Sequence, residues 1–129
     1  MSKGQISKRN LQGKSFKIYS QMRKEAKEGL DLYERFSSRS KMTTGLWRAT
    51  QLLRWDRLPL EDAKVMSAWF KRHAVDAEAA GSKSNGFWGD DDNPSPGWIA
   101  FKCWGGYSSR DYINALEENQ WKQVSFNSV

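Results

Sequence analysis

Three features of this sequence predict an all-α fold, a single compact domain of about five helices behind a flexible basic N-terminal arm. Apolar residues recur at threes and fours through most of residues 15–122. Ser95-Pro96 opens and Gly105-Gly106 closes a short, densely apolar segment, which is the punctuation of a helix. No stretch alternates as a strand does, and Val124-Ser125-Phe126 is too short to count. The expected organisation is an arm over 1–14, a helical domain over 15–122 and a frayed tail over 123–129.

Each element has its own warrant. Residues 1–13 are polar and basic, with too few apolar groups to offset the entropy of ordering them. From Ser15 to about Phe36, the residues Ile18, Tyr19, Met22, Ala26, Leu30 and Tyr33 form a helical stripe. Gly29 weakens that helix by ~1 kcal/mol against Ala. Residues 37–41 read as a short basic linker. Thr43 or Thr44 caps a second helix carrying Leu46, Ala49, Leu52 and Leu53, and Leu58-Pro59 ends it, because the residue before proline avoids the helical region. A third helix starts at Pro59 or Leu60, with Glu61 and Asp62 in the first turn where the dipole favours acids. Val65, Met66, Trp69, Phe70, His73 and Ala77 share its face, and Gly81 closes it. Residues 81–94 are loop by composition. Trp98, Ile99, Phe101 and Trp104 fill the fourth helix. Ser108 or Ser109 caps the fifth, with Tyr112, Ile113 and Leu116 inward. The predicted core is Trp47, Leu53, Met66, Trp69, Phe70, Ile99, Phe101, Trp104, Ile113 and Leu116.

At 129 residues the chain fits one domain, and a globule of this size buries roughly two-thirds of its unfolded surface. Seven Trp, six Phe and four Tyr supply the apolar bulk for that burial. The single cysteine, Cys103, excludes an internal disulfide and a multi-cysteine zinc site. Lying between Phe101 and Trp104, it reads as a small buried hydrophobe rather than a nucleophile. The polar, basic N-terminus has no apolar signal core, and no run approaches the ~20 apolar residues of a membrane span.

Charge is unevenly distributed. Residues 1–57 carry 14 Lys+Arg against 5 Asp+Glu, whereas residues 58–129 carry 7 against 10. Residues 1–24 contain no acid. A basic stretch with few interleaved acids is what phosphate neutralisation requires. The candidate nucleic-acid contacts are Lys3, Lys8, Arg9, Lys14, Lys17, Arg23, Lys24, Lys27, Arg39, Lys41 and Arg48, with Arg35, Arg54 and Arg57 continuing the pattern. The bland alternative is a solvated helix face. Tyr19, Tyr33, Phe36 and Trp47 lie among these cations, as base stacking would need. Their helical spacing is equally that of a core stripe, and core is the expectation.

Other chemistry is thinly represented. His73, the only histidine, and Asp76 lie three apart on a helix, within reach of a hydrogen bond. With no partnered nucleophile, a structural histidine packed beside Trp69 is expected rather than a general base. Asp90-Asp91-Asp92-Asn93 offers oxygen ligands but lacks calcium-loop spacing, so these residues read as capping and solvated acids near Ser95. Gly81 to Gly86 has neither the spacing nor the lysine of a phosphate loop. Trp104-Gly105-Gly106 could admit a close neighbour, but reads first as an anchor followed by a helix stop.

Arg72-His73-x-x-Asp76, then Pro94-Ser95-x-Gly97-x-Ile99-Ala100-Phe101, then Trp104-Gly105-Gly106, resembles a small module of bacteriophage proteins often attached to head-related domains. The resemblance covers roughly residues 45–110. After Gly106 that module usually carries Asp, where this chain has Tyr107. The resemblance implies a phage origin, a compact helical unit, and a place in the host cytoplasm or inside the virion. It implies no activity. Together these readings predict a small non-enzymatic protein that needs no cofactor or metal and binds the nucleic-acid backbone without base specificity, DNA ahead of RNA. The alternative is a virion structural or adaptor protein docking its basic face on an acidic phage or host protein.

Overall fold

The segment Pro96–Cys103 is apolar on every side, and a helix of that kind must be surrounded by others. A computed structural model describes residues 14–39 and 43–122 of the chain and shows this arrangement. The elements run β1 (Ser15–Lys17), α1 (Ser20–Arg35), α2 (Thr43–Arg54), β2 (Arg57–Pro59), α3 (Leu60–Arg72), α4 (Pro96–Cys103) and α5 (Gly106–Leu116). Short 3-10 turns occupy Ser37–Arg39 and Ala74–Ala77, and a π turn follows α5 at Glu117–Trp121. The fold is therefore mostly helical, with five α-helices. Residues 1–13 of the expected arm over 1–14, residues 40–42 and the tail 123–129 lie outside the described residues.

The local signals at α4 hold. Ser95 Oγ accepts the Trp98 amide at 3.1 Å, and Pro96 takes the first helical position. Trp98, Ile99, Phe101, Lys102 and Cys103 are all buried. The buried face of α1, Met22, Ala26, Gly29 and Leu32, packs on this helix, Phe70 of α3 meets Phe101 edge to face at 5.8 Å, and Ala63, Met66 and Ile113 belong to the same core. Burial pushes the Cys103 thiol up to about 12, so it stays protonated.

Gly29 has a reason that helix propensity hides. A Cβ there would lie 2.4 Å from the Cys103 amide nitrogen and 2.6 Å from the Lys102 carbonyl carbon. The glycine lets the backbones of α1 and α4 touch. That contact carries Lys102, only 8% exposed, onto α1, where its ammonium donates to Glu28 Oε1 at 2.6 Å and Glu25 Oε1 at 3.3 Å. Glu25 in turn accepts the amides of Tyr107 at 3.2 Å and Ser108 at 3.0 Å, and so caps α5 from another helix. Gly105 and Gly106 make this possible. Their φ values are +98° and +63°, and a Cβ on Gly106 would sit 1.7 Å from Glu25 Oε1. Trp104-Gly105-Gly106 is thus both a helix stop and a seat for a carboxylate.

Four expectations need correction. The first helical stripe does not begin at Ser15. Residues Ser15–Lys17 pair antiparallel with Arg57–Pro59, so the fold includes a small two-stranded sheet. Phe16 and Leu58, opposite each other, are buried, and the Leu60 amide donates to the Lys14 carbonyl at 2.7 Å. Lys14 therefore belongs to the folded unit and not to an arm. Second, α3 ends at Arg72, well before Gly81, and Val65 and Ala77 are exposed. Third, α5 starts at Gly106, not after Ser108 or Ser109, because Glu25 supplies the cap. Fourth, Trp47 is 51% exposed and leaves the core; Arg48 takes the inward position instead. Leu53, Trp69 and Leu116 pack on the core while only partly buried.

Gly106→Ala should destabilise the protein by about 3 kcal/mol or more, since it displaces Glu25 and leaves Lys102 short of a partner in a buried site. Denaturant unfolding of the purified variant measures this. Acid should act on the same network. The hydrogen bond from Lys102 holds the Glu28 carboxyl below its usual 4.5, and those from Lys71 and Ser67 do the same for Glu117. A carboxylate with a lowered folded-state value contributes stability above its unfolded value and loses it as pH falls through the folded one. The melting temperature should accordingly decline below about pH 4.5, and Glu117→Gln should flatten part of that decline.

Candidate functional site

The two strands place like charges face to face. The register sets Phe16 against Leu58 on the inner face, so Lys17 lies directly opposite Arg57 on the outer one. Like charges in that position destabilise a sheet. Arg57 is held by its own strand partner: Nε donates to Ser15 Oγ and Nη2 to the Ser15 carbonyl, both at 2.7 Å. The Lys17 carbonyl accepts the Tyr112 hydroxyl at 2.7 Å, and its ammonium lies 5.0 Å from the Tyr19 ring centre. Lys14 is exposed beside them, with Nζ on Gln120 Oε1 at 3.2 Å, and Arg54 is exposed three residues before Arg57. Among the described residues, no carboxylate is within ion-pair distance of Lys14, Lys17, Arg54 or Arg57. Asp56 is the one acid between residues 43 and 60.

The other predicted cations have different fates. Arg23 donates to the carbonyls of Leu52 at 2.7 Å, Leu53 at 3.0 Å and Trp55 at 3.0 Å, closing the C-terminal end of α2 and fastening it to the sheet corner. Lys24 and Lys27 sit on the exposed face of α1 in pairs with Glu28 at 3.0 Å and Asp31 at 2.9 Å. Arg39 turns to the far loop, bonding Asn93 Oδ1 and the Pro94 carbonyl. Arg48 is corrected outright. It is 4% exposed, donates to Gln51 Oε1 at 2.6 Å and Asp62 Oδ1 at 2.8 Å, and cannot reach a phosphate. Lys3, Lys8, Arg9 and Lys41 lie outside the described residues. Arg54 and Arg57 emerge as the stronger members of the corner, a role that spacing along the chain does not reveal because β2 meets β1 across 40 residues.

Aromatic side chains border the same corner. Tyr19 is 46% exposed, Trp47 51% and Trp55 43%. Trp47 and Trp55 meet edge to face at 6.1 Å, and the Arg48 guanidinium carbon lies 5.1 Å from the Trp47 ring centre. On its other side Arg48 lies 4.8 Å from Trp104, which stacks on Trp69 at 4.5 Å; Trp69 stacks on His73 at 4.5 Å. One column of flat groups therefore runs from His73 through the core to Trp47 at the surface.

The phage-like motif residues gather at the opposite end of this column. His73, Asp76, Gly97, Ala100 and Trp104 line an open groove of about 330 Å³. His73 Nδ1 is 3.2 Å from Asp76 Oδ2, and a Cβ on Gly97 would lie 3.1 Å from Asp76 Cβ. Each residue is accounted for by packing against the next. The acidic loop is likewise braced: Asp90 Oδ1 accepts the Asp92 and Asn93 amides, and Asp91 Oδ1 accepts Trp98 Nε1 at 2.8 Å. Among the described residues, no group of three or more His, Cys, Asp or Glu side chains is placed to hold a metal ion, and no helix is long and apolar enough to cross a membrane.

Arg48→Ala should cost about 3–5 kcal/mol, because Asp62 loses its partner and Trp104 and Trp47 lose the guanidinium between them. Thermal and denaturant melts check this. A surface cation such as Arg54 should show no comparable loss. No protein-family model, curated protein or solved structure matches this chain, so its function is argued from these residues alone.

Proposed function

We propose that this is a nucleic-acid-binding protein that grips the phosphate backbone without reading base sequence, and that it works as a binder and not as an enzyme. The observation that carries the reading is Lys17 set directly opposite Arg57, with Lys14 and Arg54 beside them and no carboxylate partner for any of the four among the described residues. Cations gathered without carboxylate partners are suited to a polyanion. Lys3, Lys8 and Arg9 precede this corner in the chain and would add to its charge. Such contacts fix the position of a backbone without selecting its bases. The resemblance to a phage module suggests an infected cell or a virion as the setting, with DNA the first candidate.

Affinity should fall steeply with salt, since each neutralised phosphate releases a counterion. About four to six contacts give a slope of log K against log salt of roughly −4 to −5 on a duplex. Lys17→Glu separates binding from folding. It turns a repulsive cross-strand pair with Arg57 into an attractive one, so stability should hold or rise by ~0.2–1 kcal/mol. Binding should weaken on every sequence alike, with the slope shallower by about 1. Fluorescence anisotropy across a salt series, with melts of the same samples, reads both. A protein that binds no DNA or RNA at low salt would refute the proposal. The basic face would then be read as a dock for an acidic protein, with co-purification of such a partner as its signature.

A further inference from the structure

We infer that the nucleic acid taken at this corner is single-stranded, its bases stacking on Trp55 and Trp47 while Lys17, Arg54 and Arg57 hold its phosphates. The inference rests on the nucleic-acid reading above and adds the form of the ligand. It comes from the exposure of the aromatics, which nothing in the core requires. Trp47 is the most exposed tryptophan named among the large apolar side chains at the surface, and Trp55 is the next.

The aromatics and the cations adjoin along the chain, where Trp55 stands between exposed Arg54 and Arg57. Trp47 meets Trp55 at 6.1 Å. The Trp55 carbonyl accepts Arg23, whose own amide donates to the Tyr19 carbonyl at 3.2 Å. Lys17 lies over the Tyr19 ring, and Arg57 is its partner across the sheet.

The Trp47 ring also has a support beneath it. Trp47 rests on Arg48, which is itself fixed by Asp62, Gln51 and the Trp104 ring beneath. Trp55 is fixed at its backbone by the Gln51 carbonyl at 2.9 Å and by Arg23. Rigid rings lose little entropy when a base settles on them.

A duplex cannot use such rings. Its bases already stack on one another and present only their edges in the grooves, where a donor–acceptor code and not a ring is needed. An unpaired strand presents base faces, and every base has one, so stacking tolerates any sequence. This agrees with phosphate contacts that read no bases. Charge complementarity argues against an uncharged apolar partner, because exposed Arg54 and Arg57 border Trp55 in the chain and Asp62, the acid nearest Trp47 through Arg48, is already paired with that arginine.

The test measures binding of a fluorescein-labelled oligothymidine and of a duplex of equal length at one low salt concentration. The expected result is tighter binding of the single strand. Trp55→Ala should weaken binding of the single strand by roughly 5- to 150-fold. It should leave the salt slope as in the wild type, since it removes no cation. Trp55→Phe, which keeps a ring, should restore much of the affinity, and this rescue separates stacking from any loss of folding. Equal binding of both forms, or a Trp55→Ala protein with unchanged affinity for the single strand, would overturn the inference while leaving the phosphate reading intact. Binding of neither form would overturn the two together.

Discussion

Glu25 is the group on which most of this structure depends. Its carboxylate is claimed at once by Lys102 from α4 and by two amides at the start of α5, so three helices meet on one side chain. A lysine buried at the centre of a fold is tolerable only if its charge is matched, and a helix start away from water needs acceptors for its amides. Glu25 serves both needs, sharing the lysine with Glu28 at 2.6 Å. The geometry then dictates its neighbours: Gly106 must lack a Cβ where Glu25 sits, and Gly29 must lack one where α4 crosses. Removing water from these groups is unfavourable unless the partners are all in place, so the junction selects one arrangement of α1, α4 and α5 over near alternatives.

Much of the helical architecture was legible because it is written in local rules. Ser95-Pro96 and Gly105-Gly106 mark the ends of α4 whatever surrounds them, and Met66, Phe70, Ile99 and Ile113 could only face inward. What escaped was set by contacts distant in sequence. The sheet has two strands of three residues each, too short to show alternation, and each finds its partner some forty residues away. Gly29 looked like a weakness of α1 because propensity is local, whereas its cause lies at Cys103. Trp47 misled for a different reason. The inner face of α2 is Gly45, Arg48, Ala49, Gln51 and Leu52, and an apolar stripe cannot be phased correctly when two inward positions are an arginine and a glutamine. Arg48 fits there because Asp62 and two tryptophan rings receive it, and none of those is visible from its own helix.

The candidate surface was legible in composition and not in place. A run of cations without acids at the start of the chain is plain to read, yet it does not say which will be consumed in holding the fold. Arg23, Arg39 and Arg48 are directed onto carbonyls, loops and a partly buried carboxylate, and Lys24 and Lys27 are paired along their own helix. Lys17 is different because its opposite number across the sheet is Arg57, a juxtaposition that exists only after folding.

Several acids of the second half are held by partners of their own. Asp62 is taken by Arg48, Glu117 by Lys71 and Ser67, Asp90 by amides of its own loop and Asp91 by Trp98 of α4. The phenyl and indole groups follow the same logic in reverse. Trp69, Trp98 and Trp104 sit in or against the core, so the fold already has its large rings, and leaving Trp47 and Trp55 in water forgoes burial worth roughly 25 cal/mol for each Å² of apolar surface. A chain that leaves like charges opposed and two indoles in water side by side sacrifices stability twice at one place. The single-stranded ligand we propose, with phosphates for the cations and unpaired bases for the rings, would answer both.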